Sequence, residues 1–275
     1  MKISAAEVNK LRKQTGAGMM DCKKALVEAE GDFEKAVDIL RKKGQKVAAK
    51  RSERDASEGV VLAGKTEDGT HGAIIVVNCE TDFVAKNDDF TNFAENILNI
   101  ALDKKPVDLA ALLALPYNDD MTVEQKITEQ TGVVGEKIEL SSYDTVNADS
   151  VISYIHPGNK LASIVGLNKS GDFSEIGKDV AMQVAAMAPV ALDKESVPQD
   201  VIEKEIEVGK DLAIQEGKPA ELAEKIAMGR LNKFFQENTL LNQSFIKDNK
   251  KSIKQYLGEA EDGLSVTSFK RFSLS

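Results

Sequence analysis

Few residues in this 275-residue chain could do chemistry, so each can be weighed in turn. Gly59, Gly64, Lys65 and Thr66 satisfy GxxxxGKT, the spacing of a phosphate-binding loop. Such a loop follows a strand and opens a helix, so that backbone amides and the helix N-terminus converge on the phosphates. Here the four intervening residues, Val60, Val61, Leu62 and Ala63, are strand formers themselves, and Lys65 and Thr66 run on into a turn and a second strand. The amides would then be spent on sheet pairing, no Asp-ended apolar strand follows to hold magnesium, and the match is read as chance. The two histidines lack a nucleophile partner: His71 falls in a hairpin, and His156 stands beside a Pro157-Gly158 turn as an exposed polar contact. Cys22 and Cys79 lack the close spacing of zinc ligands and read as reduced core thiols. GxSxG and HExxH are absent. No metal, cofactor or enzymatic activity is expected, which leaves binding.

The elements that must position a binding site are more legible. Gly59 to Lys65 and Gly72 to Cys79 read as strands around the Glu67-Asp68-Gly69 turn, and Asn87 caps a helix carrying Phe90, Phe93, Ala94, Ile97 and Leu98. The unit recurs: Val151 to Ile155 and Leu161 to Leu167 flank Pro157-Gly158-Asn159, and a helix with Ile176, Val180, Val184 and Met187 follows. Aligning the copies leaves CETDFVAKND between strand and helix in the first and only KSG in the second. A connection that closes with three residues has no structural need of ten, and surplus loop is where function usually resides. Within it Phe83 sits beside Asp82 with little cover. Either the ring folds back as a lid on its own core, or it is a wedge that buries itself in another protein.

The N-terminal part reads as a small helical bundle. Ser4 and Glu7 form a capping box ahead of Val8 and Leu11; Asp32 caps a run through Phe33, Ala36, Val37 and Leu40 that is expected to stop at Gly44; Met19, Met20, Ala25 and Leu26 mark a middle helix. Met19 and Met20 beside a glycine break are either adaptable contact material or core gap-fillers. Residues 1–54 carry 14 Lys/Arg against 8 Asp/Glu, a balance of +6 that leaves −15 on the rest of a chain of net charge −9. With an acidic body, direct nucleic-acid binding is not expected, since solvated helix faces account for the basic head. Near the C-terminal side, Gly217-Lys218-Pro219 joins two periodic runs into a helical hairpin that dimerises, grips a partner or packs on the sheet. Val266 to Leu274 closes as a strand.

The expected fold class is therefore α+β: a three-helix module at 1–44, a solvated helical linker at 45–58, a first hairpin-plus-helix subdomain at 59–142 and a similar one at 143–275, the last containing the helical arm at about 198–237. The longest apolar runs fall far short of the ~20 residues that span a bilayer, and Met1-Lys2-Ile3-Ser4 opens no signal peptide, so the expected location is the cytoplasm, away from membranes.

Four stretches resemble the bacterial elongation factor Ts family, the nucleotide exchange factors of elongation factor Tu: LRKQTGAGMMDCKKALVEAEGD at 11–32, NCETDFVAKN at 78–87, and more loosely HPGNKLASIV at 156–165 and EGKPAELAEKIAMGRLNKF at 216–234. The resemblance implies that the head is a ubiquitin-associated-like module touching the GTPase through Leu11, Arg12, Met19 and Met20. It implies that Thr81, Asp82, Phe83 and Val84 enter near the nucleotide site and disturb magnesium and phosphate coordination. His156 matches a contact position on the second subdomain, and the arm is a possible homodimer contact. Two rival readings stand beside it: a nucleotide-binding protein using Gly64, Lys65 and Thr66, and an adaptor whose body is only a scaffold.

Overall fold

The computed structural model describes residues 3–274. Its first three helices form the N-terminal bundle. Helix α1 (Ala5–Thr15) starts at the Ser4/Glu7 capping box and ends at Gly16, whose φ of 70° is the left-handed close that glycine accepts without strain. Helices α2 (Met19–Glu28) and α3 (Phe33–Arg51) follow, the latter capped by Asp32, whose carboxylate accepts from the Lys35 amide. Val8, Leu11, Cys22, Ala25, Leu26 and Ala36 close into one apolar core. The small side chains of that core let three short helices pack closely, which none could afford to do alone.

The next stretch carries the first sheet. Strands β1 (Glu58–Lys65) and β2 (His71–Cys79) are neighbours, and the chain reverses between them where the Thr66 amide donates to the His71 carbonyl at 2.9 Å. Strand β2 is buried along its whole length, as a central strand must be. A single helical turn, α4 (Asp82–Ala85), leads into α5 (Asp88–Lys104), which buries Phe90, Phe93, Ala94, Ile97, Leu98 and Ala101 along one face. Helix α6 (Leu109–Ala114), a small ladder of β3 (Pro116–Asn118) and β4 (Met121–Thr122), and α7 (Val123–Val134) come next. Strand β5 (Glu139–Asn147) then pairs with β2, giving the order β1-β2-β5.

One expectation is corrected here. The third helix does not stop at Gly44; α3 runs on to Arg51 and takes up half of the expected linker. Gly44 is buried where α3 crosses α7, and a Cβ on Gly132 of α7 would lie 2.3 Å from the Gly44 Cα. The close approach is set by Gly132; at Gly44 an added Cβ would find ordinary contact, 3.6 Å from the Gly132 Cα, and the helix runs through Gly44 because packing on α7 outweighs a glycine penalty of about 1 kcal/mol. Of the residues in the phosphate-loop spacing, Gly59 has a packing reason: its φ is 146°, and a Cβ there would fall 2.1 Å from the Val77 carbonyl oxygen.

Strands β6 (Ser150–Ile155) and β7 (Leu161–Leu167) pair antiparallel in register from Ser150 with Leu167 to Ile155 with Ala162. Helix α8 (Ser174–Met187) follows, then the arm, α9 (Gln199–Gln215) and α10 (Ala220–Asn238). Gly209 stands close enough to Ala227 that an added Cβ would lie 3.1 Å from its Cα, and buried Ala213, Ala223 and Ala227 keep this arm narrow. A ladder of β8 (Ser244–Phe245) and β9 (Asp248–Ser252), helix α11 (Ile253–Ala260) and β10 (Val266–Ser273) complete the chain, with the order β10-β7-β6. Val165, Leu167, Val180, Val184, Ile253 and Leu257 anchor this second core.

By its internal contacts the chain divides into two compact units, Met1–Leu62 with Ile75–Asp144 and Ser273–Ser275, and Ala63–Ile74 with Thr145–Phe272. No helix among the described residues is long and apolar enough to cross a membrane, and no group of side chains among them is arranged to hold a metal ion.

Candidate functional site

The segment expected as an open loop is a short helix. At the end of β2 the chain turns at Thr81, whose extended backbone (φ −126°, ψ 152°) and side-chain oxygen, accepting from the Val84 amide at 3.4 Å, start α4. The turn ends within four residues, because Asn87 immediately caps α5 by accepting from the Asp89 amide at 2.8 Å. Two N-caps six residues apart leave room for one turn and no more. Ala85 is buried beneath it, and Lys86 reaches back to Asp82 at 2.6 Å.

Phe83 projects from the outer side of this turn and is 83% exposed. That decides between the two possibilities for the ring: it is not a lid on its own core. Transferring a phenylalanine side chain from water into an apolar pocket is worth about 2–3 kcal/mol, which is what covering this ring would contribute.

The turn's supports come from residues that sequence reasoning missed. The Thr81 amide and hydroxyl donate to Glu136, at 3.0 and 2.8 Å. Arg51 donates to both oxygens of Glu80 at 2.8 Å, and the Lys137 amide donates to Glu80 at 2.6 Å. The Lys137 amide, and after it Arg51, hold the Glu80 carboxyl below the usual carboxylate range. Arg51 lies at the end of α3, and Glu136 and Lys137 follow α7, so no local pattern connects them to the turn; the only nearby signal is Gly135 as a helix stop.

Beneath the turn, Cys79 donates to the Thr81 carbonyl at 3.2 Å. Burial, reinforced by the Glu136 and Glu58 carboxylates, pushes its thiol up to about 12. Because the thiolate is the nucleophile, Cys79 is expected to stay unalkylated by iodoacetamide at pH 8 in the native protein and to react once urea unfolds it. Labelling of the native thiol at a free cysteine's rate, followed by peptide mass spectrometry, would contradict this environment.

The other expected contacts divide. Met19 and Met20 are 53% and 61% exposed in the first turn of α2, which rules out the core-filling alternative, and Arg12 is exposed on α1. Arg12 lines a cleft of about 300 Å³ with Asn9, Lys13, Gly16 and Asp89. Leu11 is corrected: it has no exposed surface and belongs to the head's core, because it shares the inward face of α1 with Val8 and Thr15. His156 is exposed at the β6–β7 turn, and its Nδ1 lies 2.9 Å from the Tyr154 hydroxyl, so the ring is braced without any acid–base partner. His71 is buried against Asn147 at 2.7 Å. The phosphate-loop spacing forms no cradle, since β1 runs through Lys65 and the Thr66 amide is already bonded.

The site is thus a clasped helical turn that offers an aromatic ring to solvent. The Elongation factor TS family profile matches residues 80–275. Relatives named elongation factor Ts include those of Christiangramia forsetii, 56% identical over 274 residues with 99% of both chains covered, and Amoebophilus asiaticus, 54% identical over 273 residues with 98% of both covered. That of Cytophaga hutchinsonii is 53% identical over 275 residues, with 99% of both covered. The chain belongs to the elongation factor Ts family, which places it among translation elongation factors rather than enzymes.

Proposed function

We propose that this protein is a guanine nucleotide exchange factor in the cytoplasm, which binds elongation factor Tu carrying GDP, inserts Asp82 and Phe83 beside the magnesium and phosphate site, and releases GDP so that GTP can enter. The observation that carries this reading is the exposed Phe83 ring on a helical turn anchored at both ends. A ubiquitin-associated-like head at 1–44 meets the nucleotide-binding domain through Arg12, Met19 and Met20, and His156 on the second subdomain meets a more distant domain. Leu11 acts from beneath, shaping the surface that presents the methionines.

The mechanism is linkage. A factor that prefers the nucleotide-free form of its partner lowers GDP affinity, and GDP lowers the factor's affinity by the same ratio. GTP, refilling the pocket, expels the factor. In stopped-flow release of a fluorescent GDP from the purified cognate GTPase, saturating protein is expected to accelerate release by about ten-thousandfold, the differential affinity that turns a mostly filled site into a mostly empty one. Equilibrium dialysis of the protein alone with labelled GDP or ATP is expected to show no binding. Binding in dialysis together with an unaltered release rate would replace this reading with the nucleotide-binding one.

A further inference from the structure

We infer that Glu136, reaching the turn from just past the C-terminus of α7, is the positioning residue that sets the Phe83 finger in the shape its partner meets; the inference rests on the exchange reading above. Residues 80–81 and 136–137 hold each other reciprocally. The Thr81 amide goes to the Glu136 carboxylate and the Lys137 amide goes to the Glu80 carboxylate. Each dipeptide thus supplies one backbone donor and one side-chain acceptor to the other, a capping-box exchange made across more than fifty residues of chain.

The chemistry requires a carboxylate at 136. The Thr81 hydroxyl has one proton and two lone pairs, and it serves two neighbours: it accepts from the Val84 amide and is 2.8 Å from Glu136 Oε1. An ionised carboxylate only accepts, so it draws the hydroxyl proton to itself and leaves a lone pair turned toward Val84. The first cap of α4 therefore depends on Glu136. A four-residue helix has no stability of its own, and Phe83, with most of its surface in water, contributes nothing to holding it. Gly135, at φ 80°, ends α7 and fixes the direction in which Glu136 departs. Without these bonds the finger would have to be ordered during docking, and association would bear that ordering cost.

The test uses the full chain with Glu136→Ala, and Glu136→Gln as the nearly isosteric second variant. In the lone protein, hydrogen exchange at the Val84, Ala85, Lys86 and Asn87 amides is expected to speed up about tenfold in E136A and roughly threefold in E136Q, with α5 from Phe90 onward unchanged. With the GTPase, E136A is expected to slow GDP release about tenfold, and the pair E136A/F83A to be no slower than F83A alone, because Glu136 acts through the ring. Unchanged protection at those four amides in both variants overturns the inference, and so does a double variant slower than F83A by the full E136A factor. Should F83A itself leave release untouched, the exchange reading fails, while the hydrogen-exchange result still decides whether Glu136 holds the turn.

Discussion

Replacing Phe83 by alanine is expected to slow stimulated GDP release by about a hundredfold, while the melting temperature stays within roughly a degree of the parent protein. Both halves follow from the ring's 83% exposure. At home the ring buries almost nothing, so truncation removes little native packing, and surface changes of this kind shift stability by less than about 0.5 kcal/mol. In the complex proposed above the ring would be a buried aromatic anchor, and truncating such anchors costs about 2–4 kcal/mol. Leucine at 83 keeps much of the apolar area and none of the flat shape, and is expected to fall between the two. A large drop in melting temperature for F83A would show that the ring is structural, and normal release by a folded F83A would remove the finger from the mechanism.

The second large effect is on stability, and it is asymmetric. Gly44 and Gly132 face each other where α3 crosses α7, yet a Cβ on Gly132 would lie 2.3 Å from the Gly44 Cα, whereas a Cβ on Gly44 would meet the Gly132 Cα at 3.6 Å and the Thr128 carbonyl at 3.7 Å. The first is a collision with backbone that no rotamer change relieves; the second is ordinary contact. Gly132→Ala is expected to force the helices apart by about an ångström and to destabilise the protein by about 2–4 kcal/mol. Gly44→Ala is expected to be neutral or to stabilise by up to about 1 kcal/mol, since alanine is the better helix former. Urea unfolding monitored by circular dichroism measures both, and equal losses in the two variants would contradict the crossing geometry.

Local signals were readable wherever one short segment carried them. The Ser4/Glu7 box, the Asp32 and Asn87 caps and the two hairpins around Gly69 and Gly158 each need only a few neighbouring residues to act, and the structure shows them in place. Glycine misled at 44, since a single glycine weakens a helix by only about 1 kcal/mol, and the packing of α3 on α7 that carries the helix past it is not a local signal. Helices α6 and α7 were passed over although Thr122 and Gln125 make a capping box, because α7 is polar and its apolar face is narrow. The turn at 81–84 was legible as surplus chain, but its helical form was not, since one turn has no period. Leu11 went astray because a contact stretch was read as a block: Leu11 and Arg12 are adjacent in sequence yet point about 100° apart around α1, one inward and one to solvent. Arg51, Glu80 and Glu136 act on the turn through contacts that span the fold, which no window of sequence contains.

The continuity of α3 through Gly44 to Arg51 bears on the two-point attachment proposed above. Had the head hung on a supple tether, each encounter would find Met19 and Met20 at a different distance from Phe83, and the second attachment would have to be searched for. A rod that begins in the head and ends in an ion pair with Glu80 fixes that span beforehand. On that proposal, engagement of one patch would leave the other already in reach, its effective concentration set by geometry instead of by chain wandering.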